Sequence, residues 1–98
     1  MAIKVIITRR YSPELESLIL PFLRELFTLI RQHGGYISGE TLDCVEDTKE
    51  HLIISTWQSL KEWEVYNGSE EVNEIRNKID SVIGEQTTRR VYKSRQYD

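Results

Sequence analysis

Apolar residues recur every three or four positions in two long stretches of this chain, which is the spacing of an amphipathic helix. The first stretch follows Ser12 and Pro13, a pair typical of a helix start, and stops at Gly34 and Gly35. Its apolar positions are Leu15, Leu18, Ile19, Phe22, Leu23, Leu26, Phe27 and Ile30. The second stretch stops at Gly84, and its apolar positions are Val72, Ile75, Ile79, Val82 and Ile83. Because glycine readily adopts the left-handed conformation that ends helices, we expect two long helices here.

Four shorter segments are rich in Ile, Val, Thr and aromatic residues and fit strands. They are residues 2–8, 36–44, 51–57 and 87–94. After the third segment, Ser59 and Glu62 form a capping box that opens a short helix ending near Asn67. The order βαββαβ predicts a ferredoxin-like α+β fold, a four-stranded antiparallel sheet with its helices on one face.

The first and third strands are apolar on both faces, whereas the second and fourth carry more charge. Because charged residues at a sheet edge discourage pairing with other chains, we expect strands one and three in the middle. Ile3, Val5 and Ile7 then face one way, and Ala2 and Ile6 face the other. The helices cover only one face, and an exposed apolar face usually marks an interface. We therefore expect a homodimer joined through the sheet face opposite the helices.

The length, composition and charge of the chain exclude several classes of protein. The chain has 98 residues, of which 39% are hydrophobic and 30% charged, and this fits one globular domain, residues 1–98. The net charge of −3 argues against a nucleic-acid-binding surface. No apolar run approaches the roughly 18 residues of a membrane span. The apolar N-terminus is too short for a signal peptide, so we expect a cytoplasmic protein with no membrane partner.

Motifs for cofactors and metals are missing from the sequence. Cys44 is the single cysteine, which excludes an internal disulfide framework, and we interpret it as a small buried hydrophobe. His33 ends the first helix, where the helix dipole favours a cation, so we interpret it as structural. His51 opens the third strand without a second His or a carboxylate at ligand spacing, and a metal site is not expected. With no Gly-rich phosphate loop either, we expect no cofactor.

Aromatic residues and one arginine form the candidate site. Trp57 ends the third strand and is expected to pack between sheet and helices. Trp63 and Tyr66 share a face of the short helix, which fits either core packing or the wall of a ligand pocket. Arg76 fits either a solvated helix face with ion pairs to nearby carboxylates or the mouth of that pocket. We predict a cavity between helices and sheet with Trp63 and Tyr66 in its wall and Arg76 at its mouth.

Further basic residues lie near the ends of the first and fourth strands. They are Arg9, Arg10, Arg89, Arg90 and Lys93. If these strands pair antiparallel, the end of one meets the start of the other and the charges cluster. Two interpretations stay open: protection of a sheet edge, and binding of a small anionic molecule.

Several segments together resemble the antibiotic biosynthesis monooxygenase family. They are Gly35-Tyr36-Ile37-Ser38-Gly39-Glu40, Ile54-Ser55-Thr56-Trp57-Gln58-Ser59, Trp63 and the helix over residues 75–83. The resemblance covers nearly the whole chain through the strand-ending Trp, the Ser-capped helix and the second aromatic one turn on. It implies a dimeric α+β barrel. The family includes cofactor-free oxygenases of aromatic polyketides, heme-degrading enzymes and members with no assigned activity.

The resemblance also separates two branches of the family. The heme-degrading branch relies on an Asn of the first strand, a Trp of the short helix and a His of the next helix. Tyr66 and Arg76 resemble the Trp and His positions here, and the first strand has no Asn, so heme degradation is not expected. The resemblance to the polyketide-oxidising branch implies a Trp, an Arg and an Asn in the site, and Trp63, Arg76 and either Asn67 or Asn73 match these positions.

Two functions therefore stay open. The first is a cofactor-independent monooxygenase acting on a small phenol-like or quinol-like substrate that is held as its anion. Trp63 and Tyr66 would orient the ring, and Arg76 would stabilise the negative charge. The second is a non-catalytic dimeric module of the same fold that binds a small ligand or a partner protein.

Overall fold

Four strands form one antiparallel sheet in the computed structural model, which describes residues 2–85 and 87–95. They are β1 (Ile3–Arg10), β2 (Tyr36–Asp43), β3 (Glu50–Trp57) and β4 (Thr88–Lys93). Their order in the sheet is β2-β3-β1-β4, so the apolar strands are central and the charged strands lie at the edges, as predicted. β1 is longer than expected because Arg9 and Arg10 continue its pairing with His51 and Glu50 of β3.

Three helices pack on one face of this sheet and complete the predicted ferredoxin-like α+β fold. They are α1 (Glu16–Gln32), α2 (Leu60–Asn67) and α3 (Glu70–Ile83). The side chains of Ser59 and Ser69 cap α2 and α3 by accepting the backbone N–H groups of Glu62 and Val72.

The start of α1 differs from the prediction that Ser12 caps it. A 3-10 turn, Pro13–Leu15, precedes α1, and the Ser12 side chain makes no capping hydrogen bond. The backbone N–H of Leu15 instead donates to the carbonyl oxygen of Ser12 at 2.9 Å. That backbone bond already satisfies a donor that a serine cap would otherwise bind.

The hydrophobic core lies between the helices and the inner face of the sheet, defined here as the face toward the helices. Ile3, Val5 and Ile7 of β1 are buried on this face. Trp57 is 0% exposed at the sheet–helix junction, which confirms its predicted core role. Ile19 of α1 is also fully buried. Burial of these side chains supplies most of the driving force for folding.

The outer face of the sheet is also apolar at its centre. Ile6 of β1 pairs with Ile54 of β3, and both are only half-buried. Exposed Leu42 and Tyr92 belong to the two edge strands. No helix of the described residues packs on this face, so the predicted two-sided pattern of the central strands is present. Among those residues, no helix is long and apolar enough to cross a membrane.

Candidate functional site

A cavity of about 500 Å³ opens between α1 and the inner face of the sheet. Apolar side chains of α1, including Leu23, Leu26 and Phe27, form one wall. Its polar and aromatic lining includes Arg9, Tyr11, Tyr36, His51, Tyr66 and Arg76. This size and an apolar wall with a few polar groups are typical of a small-molecule site.

Gly39 of β2 lines the cavity where the strand is irregular. The pairing register with β3 shifts between Tyr36 and Ser38, close to the bulge that Gly39 predicts from the sequence. A Cβ atom at Gly39 would lie only 2.7 Å from the Tyr36 hydroxyl oxygen. The glycine therefore leaves room for the Tyr36 hydroxyl at the cavity wall.

The candidate residues Trp63, Tyr66 and Arg76 lie together, but not all as predicted. Tyr66 and Arg76 line the cavity, whereas Trp63 is buried beside it with its ring centroid 5.6 Å from that of Trp57. The Arg76 guanidinium lies 5.6 Å from the Trp63 ring centroid and 5.3 Å from that of Tyr66. Trp63 is thus a core residue that contacts the site through Arg76.

Arg76 is 4% exposed, so both the solvated-face interpretation and the position at the mouth are wrong. Arg76 follows Ile75 on the side of α3 that packs against the sheet, which carries its side chain inward. Its Nη1 donates to Oδ1 of Asn67 at 2.7 Å, and no described carboxylate forms an ion pair with it. Burial, and then the positive charge of Arg89, lower the pKa of Arg76 to about 10.

Two further arginines lie close to Arg76, and we call Arg9, Arg76 and Arg89 the arginine cluster. Arg89 is opposite Ile7 across the β1–β4 pair, so it shares the inner face with Arg9. Arg9 is 4% exposed, and its Nε and that of Arg89 have no hydrogen-bond partner among the described residues. Burial is the largest cause that lowers the pKa of both side chains.

Little negative charge offsets this cluster. Asp80 is the carboxylate whose charge acts on all three arginines, and it accepts a hydrogen bond from the Thr87 hydroxyl at 2.8 Å. Arg9 lies on a central strand, so edge protection does not explain it. Arg10, in contrast, donates to Asp47 at 2.9 Å outside the cavity. Buried cations without a partner are costly, and the cluster is therefore suited to an anion.

A histidine and an aspartate that the sequence analysis did not assign to a site also line the cavity with Arg9. His51 lines the cavity opposite Arg9 on the neighbouring strand. Its Nδ1 lies 3.0 Å from Oδ1 of Asp43, and its ring stacks on Tyr11 with 4.0 Å between centroids. Burial, followed by the charge of Glu16, raises the pKa of the Tyr11 hydroxyl. The available sequence signal is an aspartate near the end of the second predicted strand and a histidine at the start of the third, separated by a polar loop.

The remaining candidates stay outside the cavity. Cys44 is half-buried, and its Sγ lies 3.5 Å from Oε2 of Glu46, so its predicted role as a small buried hydrophobe is wrong. It directly follows the edge strand β2. His33 ends α1 with its Nδ1 3.1 Å from the carbonyl oxygen of Leu29, in the expected structural position. The described residues hold no group of three or more metal-ligand side chains.

No model of a known protein family matches the chain, and the curated proteins give no match. Solved structures do match over nearly the whole chain. A conserved protein from Methanosarcina mazei has a TM-score of 0.86 at 16% identity, covering 97% of this chain and 94% of that one. A protein described as an antibiotic biosynthesis monooxygenase has a TM-score of 0.80 at 19% identity, covering 96% and 99%. SnoaB, a cofactor-independent oxygenase from Streptomyces nogalater, has a TM-score of 0.82 at 6% identity, covering 98% and 95%. The fold of this protein is therefore that of the antibiotic biosynthesis monooxygenases.

Proposed function

We propose that this protein is a cofactor-independent monooxygenase that binds a small phenol-like or quinol-like substrate as its anion. The observation that supports this most directly is the arginine cluster beside a cavity whose other walls are apolar and aromatic. An apolar wall favours a flat ring, and buried guanidinium groups favour a negative oxygen attached to it. The shared fold with a cofactor-independent oxygenase is consistent with this chemistry.

The reaction balances without an added reductant. A phenolate transfers one electron to O₂, and the two radicals combine to form a C–O bond at the ring carbon opposite the oxygen. The resulting hydroperoxide loses water: the O–O bond breaks, one oxygen stays on the ring, and that carbon loses its hydrogen. Phenol and O₂ thus give a quinone and water. The protein contributes by excluding water and by stabilising the anion.

Each candidate residue has a distinct role in this proposal. Arg76 and Arg9 line the cavity and would bind the phenolate oxygen. Tyr66, whose hydroxyl has a pKa raised by burial, presents an un-ionised aromatic wall to the ring. Trp63 supports the Arg76 guanidinium from behind rather than touching the substrate. Asn67 fixes the orientation of Arg76 through its side-chain oxygen.

The alternative is a non-catalytic dimeric module that binds a small anionic ligand. The same cluster favours it, because two buried arginines beside a half-buried third one favour an anion whether or not that anion reacts. The two functions differ in the fate of the ligand once it is bound. Only the monooxygenase consumes O₂ in proportion to the ligand.

An oxygen electrode with a panel of phenols and hydroquinones tests the proposal. We expect uptake of one O₂ per quinone formed from a phenol, in the presence of a chelator, and loss of that uptake in Arg76→Met. Lys61→Met is the control, since Lys61 is exposed on α2 outside the cavity. Tight binding of panel members without O₂ uptake would favour the non-catalytic module.

Heme degradation provides a separate prediction. Tyr66 and Arg76 replace the Trp and His positions of the heme-degrading branch, so the site offers no axial histidine there. We expect hemin mixed with the protein and a reductant to keep its Soret band. Stoichiometric loss of the band with release of a cleaved product would contradict this expectation.

A further inference from the structure

Asp43 and His51 form a hydrogen-bonded pair at the cavity, and the proposed function gives neither residue a role. His51 is enclosed, with its side chain 11% exposed, while Asp43 is 81% exposed. The Asp43 carboxylate faces Nδ1 of His51 at 3.0 Å, and Tyr11 stacks on the imidazole ring. Nε2 is buried, and none of residues 2–85 and 87–95 forms a hydrogen bond with it. One ring nitrogen is therefore oriented by a partner, and the other is buried without a hydrogen-bond partner among the described residues.

When the imidazole is neutral, the Asp43 carboxylate determines which of its two nitrogens has the proton. A carboxylate only accepts hydrogen bonds, so the short contact places the proton on Nδ1 of His51. Nε2 then has a free lone pair in a closed environment. A buried acceptor without a donor is costly, and a ligand hydroxyl that donates to Nε2 would remove that cost.

The pairing of β1 with β3 places Arg9 beside His51. Arg9 and His51 are directly opposed on β1 and β3, and both line the cavity. A hydroxyl that gives its proton to Nε2 therefore leaves its negative oxygen in the cavity that the buried Arg9 side chain also lines. We infer that His51 is the general base that ionises the hydroxyl group of the bound ligand, and that Asp43 is its positioning residue. This inference rests on the proposed function for the ligand class.

The proton transfer balances within the site. The ligand O–H bond breaks, its electron pair stays on oxygen, and an N–H bond forms at Nε2 of His51. The imidazolium then lies between two negative groups, the Asp43 carboxylate and the ligand oxygen. The charged and titratable groups that share the cavity with it are Arg9, Tyr11, Glu16, Arg24, Arg31, Tyr36, Glu40, Asp43, Tyr66 and Arg76.

Binding of 7-hydroxycoumarin under anaerobic conditions tests this step without turnover. Its neutral and ionised forms differ in absorbance, and near neutral pH the free compound is largely un-ionised. We expect the wild-type protein to bind it as the phenolate with almost no proton released to the buffer, because His51 retains the proton. Calorimetry in buffers of different ionisation enthalpy counts the released protons.

His51→Gln removes the base and gives one of two supporting outcomes. Either the ligand binds un-ionised, or it binds as the phenolate with release of about one proton per ligand to the buffer. The same absorbance and the same proton count as wild type would overturn the inference. So would the failure of wild-type protein to bind 7-hydroxycoumarin at millimolar concentration.

Asp43→Asn is a second variant that is safe for folding, because Asp43 is largely exposed. Asparagine removes the negative charge beside Nδ1, which makes Nε2 a weaker base, and its amide can also donate to Nδ1 and so place the imidazole proton on Nε2. We expect less bound phenolate than in wild type, whereas Asp47→Asn in the β2–β3 loop should behave as wild type. An unchanged phenolate fraction in Asp43→Asn would overturn the positioning role.

If the ligand ionises on His51 but O₂ is never consumed, the proposed oxygenase fails and this inference stands.

Discussion

Arg76 shows most clearly how one residue's environment sets its role. Sequence spacing places it beside the apolar stripe of α3, and the structure buries it among Trp63, Tyr66 and two other arginines. A buried guanidinium that binds only an amide oxygen contributes little to stability and much to anion recognition. This predicts that stability and ligand binding respond differently to its substitution.

Arg76→Met keeps much of the side-chain volume and removes the buried charge. We expect a free energy of unfolding within about 1 kcal/mol of wild type, or higher, because replacing buried charges with apolar groups is often neutral or stabilising. Affinity for 1-naphthoate should fall about 10- to 100-fold, since a hydrogen bond to a charged group contributes about 1.5–3 kcal/mol. Urea unfolding and calorimetry measure the two effects, with Lys61→Met as control. Unchanged naphthoate affinity would show that Arg76 does not contact the anion.

The lowered pKa of Arg76 predicts an alkaline limit to anion binding. Because that pKa is about 10, the affinity for 1-naphthalenesulfonate should stay level near neutral pH and decline as the pH passes 10. The effect on folding has the opposite sign: above that pKa the unfolded chain binds more protons than the folded one, so the Arg76 contribution to stability rises with pH. Calorimetric titrations across this range measure the affinity. The same decline in Arg76→Met would assign it to another group.

At the scale of elements, the junction between α1 and β2 fixes the position of α2. Gly35 has a φ of +92°, and its carbonyl oxygen accepts the Gln58 N–H at 2.7 Å. A Cβ atom there would lie 2.5 Å from Cβ of Glu62, on α2. The glycine therefore allows α2, with Tyr66, to pack close against the end of α1.

Gly35→Ala and Gly84→Ala form a matched pair that tests this close packing. Both glycines have positive φ, but a Cβ atom at Gly84 would meet nothing within 4 Å. We expect Gly84→Ala to cost about 1–2 kcal/mol from the backbone alone. Gly35→Ala should cost about 1–3 kcal/mol more, because α2 has to move. Urea unfolding measures both. Equal losses would mean that Glu62 adapts without moving the helix.

At the scale of the whole molecule, the outer face of the sheet exposes apolar side chains that no described helix covers. Ile6 and Ile54 lie paired at its centre between Arg90 and Glu40, and exposed Leu42 and Tyr92 lie further along the same edge strands. An apolar face of this kind usually marks an interface, and a second copy of the chain would cover it symmetrically.

We therefore expect a homodimer, with light scattering giving twice the mass of one chain at micromolar concentration. Ile6→Asp should give a monomer or an unfolded chain, because it would place a charge inside the interface. Leu18→Asp is the control, since Leu18 is exposed on α1, away from the sheet. A monomeric wild-type protein, or an unaffected dimer in Ile6→Asp, would rule out this interface.

Local patterns in the sequence determined the order of elements, the Ser59 cap of α2, the end of α3 at Gly84 and the central strands. These features depend on neighbouring residues: apolar spacing separates helix from strand, and charge separates edge strands from buried ones. They also placed Tyr66 and Arg76 in one candidate site, although the depth of Arg76 and the core position of Trp63 were not available from spacing.

Only the tertiary structure decided the composition of the site. Arg9 meets Arg89 because β1 and β4 pair in one particular register, and His51 meets Asp43 because β2 and β3 do. A shift of one residue in either pair would turn the side chains to the other face of the sheet. The sequence alone leaves that register open, and so the arginine cluster and the oriented histidine appear only when the sheet is assembled beneath α1 and α3.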